Sequence, residues 1–212
     1  AVVRGMKSVE DSDFEVPKAL QGVLRGYQKT GYRWLKTLDS FGFGGILADD
    51  MGLGKTIQII ALILEEAGKK TGAVSLIVCP ASLVYNWEYE FRTFAPSLQL
   101  LTVTGTGLER EEILKQGGGA DVVITSYDLL KRDIELYEGK SFRYQVIDEA
   151  QYIKNASTQS AKAVKAIDAG SRFALTGTPI ENRLSELWSI FDYLMPGFLF
   201  TYQKFKKEYE LP

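Results

Sequence analysis

The sequence predicts an α/β fold in which a parallel sheet is covered by helices on both faces. Three observations carry this. Six short apolar runs alternate with longer helical stretches along the 212 residues. The runs are apolar at consecutive positions, as expected of strands buried on both faces. A glycine-rich turn joins the first run directly to a helix.

The strands are read at GGILA (44–48), SLIVC (75–79), LLTV (100–103), DVVIT (121–125), YQVID (144–148) and RFAL (172–175), rich in the β-branched residues that suit a pleated surface. Helical stretches fall near 24–40, 55–68, 82–94, 109–116, 126–133, 157–168 and 181–194. A helix between successive strands favours parallel pairing, and ligands of such sheets gather at the strands' carboxyl ends. Gly117-Gly118-Gly119 reads as a loop before the fourth strand. Residues 1–17 are polar, carry Glu10, Asp11, Asp13 and Glu15, and end at Pro17, which reads as a mobile lead-in. The chain opens on Ala1 and ends just after the run TYQKFKKEYE, so a piece of a longer protein is expected.

A hydrophobic content of 45% is enough for one sizeable core. The longest apolar stretch, Ile57 to Leu64, is broken by Gln58 and closed by Glu65-Glu66, well short of the ~20 residues that span a bilayer. No membrane span is expected. The N-terminus lacks a basic region followed by an apolar one and a small-residue cleavage site, so secretion is not indicated. The single cysteine, Cys79, lies inside LIVC and reads as a small buried hydrophobe. Histidine is absent, which removes Ser-His-Asp and Cys-His nucleophilic schemes and the common zinc sites, so acid–base chemistry must rest on carboxylates. A net charge of -2 excludes a uniformly basic coat but leaves room for a local nucleic-acid stripe.

After GGILA comes DDMGLGKT and then the helical run IQIIALILEE, a strand-to-helix turn of the kind that cradles phosphate. Gly52 and Gly54 let backbone N–H groups approach phosphate oxygens, Lys55 reaches the β and γ phosphates, and the Thr56 hydroxyl is placed to ligate magnesium. The generic pattern wants glycine five positions before Gly54, where Asp49 stands. Taken alone, the turn also reads as a glycine-rich αβ connection with an incidental Lys-Thr. The strand YQVID runs into Asp148-Glu149-Ala150-Gln151, two carboxylates at a strand end. Asp148 can hold magnesium while Glu149 orients and deprotonates the water that attacks a γ-phosphate; the bland alternative is a pair of solvated acids opening a helix.

Six blocks in order resemble the SWI/SNF-like ATPases of helicase superfamily 2, over about residues 20 to 200: LRGYQKTGYRWL, LADDMGLGKT, LIVCPASLVYNWEYEF, VVITSYDLL, IDEAQYIKN and ALTGTPIENRLSELWSIFDYLMP. The family carries aspartate where Asp49 stands. The resemblance implies a RecA-like, phosphate-loop fold that uses ATP and Mg2+. Arg25, Asp49, Asp50, Met51, Gly52, Leu53, Gly54, Lys55 and Thr56 would bind ATP, and Gln28 would read adenine. Magnesium would fall to Thr56 and Asp148, and catalysis to Lys55, Asp148 and Glu149. Ser82, Asn86, Thr125, Ser126 and Tyr127 would face a DNA backbone, and Gln151, Thr176, Gly177 and Thr178 would couple hydrolysis to movement. Gln151 departs from the family's usual histidine, and glutamine can keep a hydrogen bond to the coupling block without carrying charge. Trp34, Trp87 and Trp188 read as core packing.

The same resemblance divides the chain into a flexible lead-in (1–19), an ATP-binding RecA-like domain (20–200) and the start of a connection to a second lobe (201–212). The second lobe would bring the arginine that stabilises the transferred phosphoryl, so nucleotide binding with poor turnover is expected of these residues alone. The implied activity is ATP-driven translocation on double-stranded DNA, in a bacterial cytoplasm on the short spacing of the blocks, or in a nucleus if the host is eukaryotic. A strand-separating helicase and a nucleotide-gated binding module are the alternatives.

Overall fold

A computed structural model describes residues 13–48, 52–69, 72–177 and 183–210. Six strands, β1 (Gly45–Leu47), β2 (Ser75–Cys79), β3 (Leu100–Thr102), β4 (Val122–Ser126), β5 (Ser141–Ile147) and β6 (Asp168–Leu175), form one sheet in the order β1-β6-β5-β2-β4-β3, every pair parallel. The helices are α1 (Gly26–Ser40), α2 (Lys55–Lys69), α3 (Val84–Phe94), α4 (Gly107–Gln116), α5 (Tyr127–Arg132), α6 (Gln159–Ala166), α7 (Leu184–Leu194) and α8 (Tyr202–Phe205).

Alternation along the strands divides the core between the two faces. In β2, Leu76 and Val78 pack with Tyr127, Leu130, Val164 and Tyr193 of α5, α6 and α7. Ile77 and Cys79 point the other way, into Leu35, Ile60, Trp87 and Phe91 of α1, α2 and α3. Cys79 is fully buried, and its thiol is pushed well above its ordinary pKa by that burial and by the charge of Asp148, as suits a packing residue.

Two expectations change. Residues 13–19 are not a free lead-in, because Val16 and Leu20 bury against Tyr32, Ile57 and Ala61 in a small satellite core, and the carbonyls of Phe14 and Glu15 accept hydrogen bonds from Arg33 and Tyr32. Two apolar residues among many charges are enough to dock this segment on α1 and α2. β5 and β6 also begin earlier than the apolar pattern, at Ser141 and Asp168, where polar side chains hide backbone pairing that runs from Ser141↔Asp168 onward.

Those polar residues build an ion cluster at the amino ends of the strands. Arg143 of β5 donates to Asp39 of α1 at 2.6 Å and to Glu66 of α2 at 2.9 Å. Asp39 also accepts from Tyr144 at 2.8 Å and from Ser171 of β6 at 2.7 Å. No helix among the described residues is long and apolar enough to cross a membrane.

Candidate functional site

The sheet order makes β1, β6 and β5 neighbours, so the segments leaving their carboxyl ends must meet. The ladder continues one residue beyond the strands: the Thr176 N–H donates to the Leu47 carbonyl at 3.3 Å, and the Asp148 N–H to the Val78 carbonyl at 2.8 Å. Thr176 therefore stands beside the exit of β1, and Asp148 between β6 and β2. Asp49, Asp50, Met51 and Thr178 lie outside the described residues.

The glycine turn before α2 is held from α1. Gly52 and Gly54 adopt φ of +84° and +69°, and a Cβ on Gly54 would collide with the Gln28 carboxamide. The Leu53 carbonyl accepts from the Tyr27 hydroxyl at 2.9 Å and from Gln28 Nε2 at 3.1 Å, while Gln28 Oε1 accepts from the Arg25 N–H at 2.9 Å. Gln28 is buried and braces the loop; one N–H and one lone pair of its carboxamide remain for a ligand. Beside it, an open cleft of about 400 Å³ between α1 and β1 is lined by Tyr27, Thr30, Gly31, Trp34, Leu47 and Ala48. The Arg25 side chain is exposed at the head of α1.

Lys55 and Thr56 open α2 directly after this turn, at the electropositive end of a 15-residue helix. Asp148 lies close enough to Lys55 to feel its charge. Its Oδ2 accepts from Trp87 Nε1 at 2.9 Å and its Oδ1 from the Glu149 N–H at 2.8 Å. Burial raises the Asp148 pKa above the ordinary carboxylate value, with the charge of Glu149 adding to it and these two donors and Lys55 opposing it. Trp87 is core, as expected, and it is also the donor that orients this carboxylate. Nothing in the sequence pairs the two, which are 61 positions apart.

Glu149 takes a left-handed conformation (φ 51°, ψ 59°), uncommon for a residue with a side chain and concentrated at functional sites. Its Oε2 accepts from Gln151 Nε2 at 2.5 Å, and Gln151 Oε1 accepts from the Thr176 hydroxyl at 3.3 Å. The expected hydrogen bond between Gln151 and the strand-end block is thus present, continued to Glu149. Gly177 follows Thr176 at the end of the described stretch.

A residue that sequence reasoning passed over joins this group. Glu90 of α3 accepts a hydrogen bond from Asn86 Nδ2 at 3.1 Å. Burial pushes its carboxyl above the usual range, with the charge of Asp148 adding to the effect against the Asn86 bond. The one available signal was the spacing of Asn86, Trp87 and Glu90, which puts all three on neighbouring positions of one helix.

Thr56, Asp148 and Glu90 present only oxygen donors, which suits a hard dication such as Mg2+, an ion that uses one or two protein carboxylates and takes its other ligands from phosphate and water. No group of three or more His, Cys, Asp or Glu side chains that could hold a metal ion occurs among the described residues.

The residues expected to face DNA divide. Ser82 and Asn86 are exposed. Thr125, Ser126 and Tyr127 are buried, and the expectation that their side chains face a DNA backbone is corrected. The Thr125 hydroxyl donates to the Val103 carbonyl at 3.4 Å and Ser126 Oγ caps α5 by accepting from the Leu129 N–H at 3.3 Å. The Tyr127 hydroxyl donates to the Asp148 carbonyl at 2.7 Å, its ring stacked on Tyr152. A run of hydroxyl residues ending a strand looks solvent-facing in sequence, yet all five residues of β4 are buried.

The sheet, the glycine turn and the carboxylates at the strand ends define an α/β domain of the RecA-like, phosphate-loop class. Residues 27–212 match the SNF2-related domain, and the chain belongs to that family, as an SNF2-family ATPase domain of the helicase superfamily 2 type. It is 43% identical over 211 residues to the TATA-binding protein-associated factor MOT1 of Saccharomyces cerevisiae, covering 94% of this chain and 11% of that protein. It is 41% identical over 216 residues to the putative ATP-dependent helicase/translocase YwqA of Bacillus subtilis, covering 100% of this chain and 23% of that protein. Among solved structures, the Sulfolobus solfataricus SWI2/SNF2 ATPase core in complex with dsDNA matches with a TM-score of 0.84 and 41% identity, over 94% of this chain and 42% of that one. The chain thus spans between 11% and 42% of the length of these relatives.

Proposed function

We propose that this chain is the ATP-binding lobe of a DNA-dependent ATPase that translocates on double-stranded DNA. The observation that carries the reading is the meeting, at the carboxyl ends of β1, β6 and β5, of the glycine turn with Lys55 and Thr56, the Asp148–Glu149 pair and the Thr176–Gln151–Glu149 hydrogen-bond chain.

In this reading Lys55 and the first N–H groups of α2 hold the β and γ phosphates. Thr56 and Asp148 hold Mg2+, which when bound neutralises charge that develops on the phosphoryl oxygens. Glu149 orients the attacking water and takes its proton. Adenine lies in the cleft beside Tyr27 and Gln28. Residues 20–200 form the lobe, and 201–212 lead toward a second lobe that supplies an arginine to the transition state. Ser82 and Asn86 contact the DNA backbone without reading bases, which suits a motor that passes any sequence.

Two measurements test this. A fluorescent ATP analogue titrated with Mg2+ should bind the 212-residue chain and not its Lys55→Ala variant. In a chain joined to a second lobe, DNA should stimulate ATP hydrolysis, and Glu149→Gln should keep nucleotide affinity while turnover falls by about 10²- to 10⁴-fold. Normal turnover in the glutamine variant would refute the role of Glu149. Strong DNA-stimulated hydrolysis by the 212 residues alone would refute the need for a second lobe.

A further inference from the structure

Glu149 holds φ 51° and ψ 59°, a left-handed conformation that a residue with a side chain keeps only where its surroundings enforce it. The enforcement acts on both sides of the residue. The peptide before it is held at each end, since the Asp148 carbonyl accepts from the Tyr127 hydroxyl at 2.7 Å and the Glu149 N–H donates to Asp148 Oδ1 at 2.8 Å. The peptide after it is held by its carbonyl, which accepts from the Tyr152 N–H at 3.0 Å. φ and ψ are the only soft torsions between two planar peptides, so fixing both planes fixes the direction in which the Glu149 side chain leaves the backbone.

Two of these three contacts come from tyrosines that form one packing unit. The Tyr127 and Tyr152 rings are stacked, with centres 5.0 Å apart and planes 3° from parallel. Tyr127 is rooted in the core with Val78, Leu130 and Tyr193, whereas Tyr152 is 52% exposed. The stack therefore holds the exposed tyrosine, and with it the N–H that Glu149 uses, against a ring anchored in the core.

We infer that Tyr127 and Tyr152 are positioning residues for Glu149, their stacked rings holding it in the left-handed conformation that aims its carboxylate. The inference rests on the reading of Glu149 as the group that takes the proton of the attacking water. Neither ring need touch substrate, because both act through the Glu149 backbone. The exposure of Tyr152 puts one end of this device at the protein surface.

The test uses a chain joined to a second lobe and reads kcat, the KM for ATP and the effect of a second substitution. Tyr152→Ala removes the exposed ring; Tyr127→Phe removes the hydroxyl and leaves its ring in place. Each should lower kcat about 3- to 10-fold, the size expected for one hydrogen bond, with KM unchanged. Tyr152→Phe keeps the stack and should recover the turnover that the alanine variant loses. In a Glu149→Gln background neither substitution should lower turnover further, because the group they position is gone. In the 212-residue chain, nuclear magnetic resonance shifts of the Glu149 backbone should leave their left-handed values in Tyr152→Ala and Tyr127→Phe and keep them in Tyr152→Phe. A merely structural role would lower the unfolding midpoint and leave kcat alone, or lower kcat by the same factor in both backgrounds. Either result, or unchanged Glu149 shifts in the two disruptive variants, overturns the inference and leaves the proposed function standing. Failure of Tyr152→Phe to recover turnover overturns the role of the stack. Normal turnover in Glu149→Gln alone overturns the inference together with the role of Glu149.

Discussion

Replacing Arg143 with methionine would take the guanidinium from two buried carboxylates at the amino ends of the strands, Asp39 and Glu66, while Lys36 stays 4.0 Å from Asp39. Asp39 and Glu66 are 6% and 8% exposed, and the Arg143 guanidinium bonds both, at 2.6 Å and 2.9 Å. Removing one partner of a buried pair costs about 3–5 kcal/mol, because the charge left behind loses its strongest partner; Lys36, 4.0 Å from Asp39, keeps the cost toward the lower end. Methionine keeps the packing of the stem but loses the stacking of the guanidinium over Tyr144, 4.3 Å from its ring centre, worth ~0.5–1 kcal/mol more. Against a total of ~5–15 kcal/mol for a domain, the loss is large. Its pH dependence identifies the cause. Burial alone would raise the Asp39 pKa, but hydrogen bonds from Arg143, Ser171 and Tyr144 outweigh it and hold the carboxyl below its ordinary value. A depressed carboxylate pKa contributes stability that is present above the unfolded value of ~3.9 and is lost as pH falls through the folded one. Without Arg143, burial meets weaker opposition, the Asp39 pKa moves upward, and the variant regains relative stability on acidification. Urea unfolding followed by circular dichroism should therefore show a difference of about 3–5 kcal/mol at neutral pH that shrinks by at least about half near pH ~4. An equal difference at both pH values, or one below ~1 kcal/mol at neutral pH, would refute the electrostatic account and leave only lost packing.

Gly54→Ala places a side chain at φ +69° and against Gln28, so unfolding free energy should drop by at least ~1–2 kcal/mol and nucleotide affinity should fall with it; an unchanged affinity would mean that the loop does not carry the phosphates. Tyr127→Phe removes the hydroxyl that bonds the Asp148 carbonyl, and urea unfolding should register about 1–3 kcal/mol, the cost of an orphaned buried acceptor. Gln151→Ala cuts the chain between Thr176 and Glu149; in a two-lobe protein DNA-stimulated hydrolysis should fall about 3- to 10-fold, as expected for hydrogen bonds worth ~1 kcal/mol, while nucleotide binding by the same protein persists.

The layers and the sheet were legible because the information is local. β2 and β4 are apolar over most of their length and buried at every position, and the six runs read as strands all became strands. The glycine turn and the acid pair were legible for the same reason, each being a short segment with its own chemistry. What the sequence hid is non-local. Arg143 and Ser171 look like loop residues until Asp39 and Glu66 arrive from helices far away along the chain. Glu90 looks like a surface acid until the fold half-buries it near the charge of Asp148. Thr125, Ser126 and Tyr127 erred in the opposite direction, since hydroxyls at a strand end look outward unless one knows that a helix cap and the backbone beside Asp148 consume them.

The two polar clusters sit at opposite ends of the same four elements. α1 carries Gln28 at one end and Asp39 at the other; α2 carries Lys55 and Thr56 at one end and Glu66 in its later turns; β5 runs from Arg143 to Asp148, and β6 from Ser171 to Thr176. The carboxyl-end cluster is unfavourable in itself. Asp148 is raised in pKa by burial, Glu149 adds like charge, and the Glu149 backbone is left-handed, which costs of order 1 kcal/mol. The amino-end cluster is the reverse, with the Asp39 carboxyl held below its ordinary pKa by three hydrogen bonds and Glu66 accepting from the same guanidinium. A site assembled from four separate elements keeps its geometry only if those elements cannot slide past one another. Arg143 ties β5 to α1 and α2 together, and Ser171 adds β6. The strained end is thus supported by the satisfied one, and damage to the amino-end cluster should loosen nucleotide binding at the carboxyl ends even where the protein stays folded.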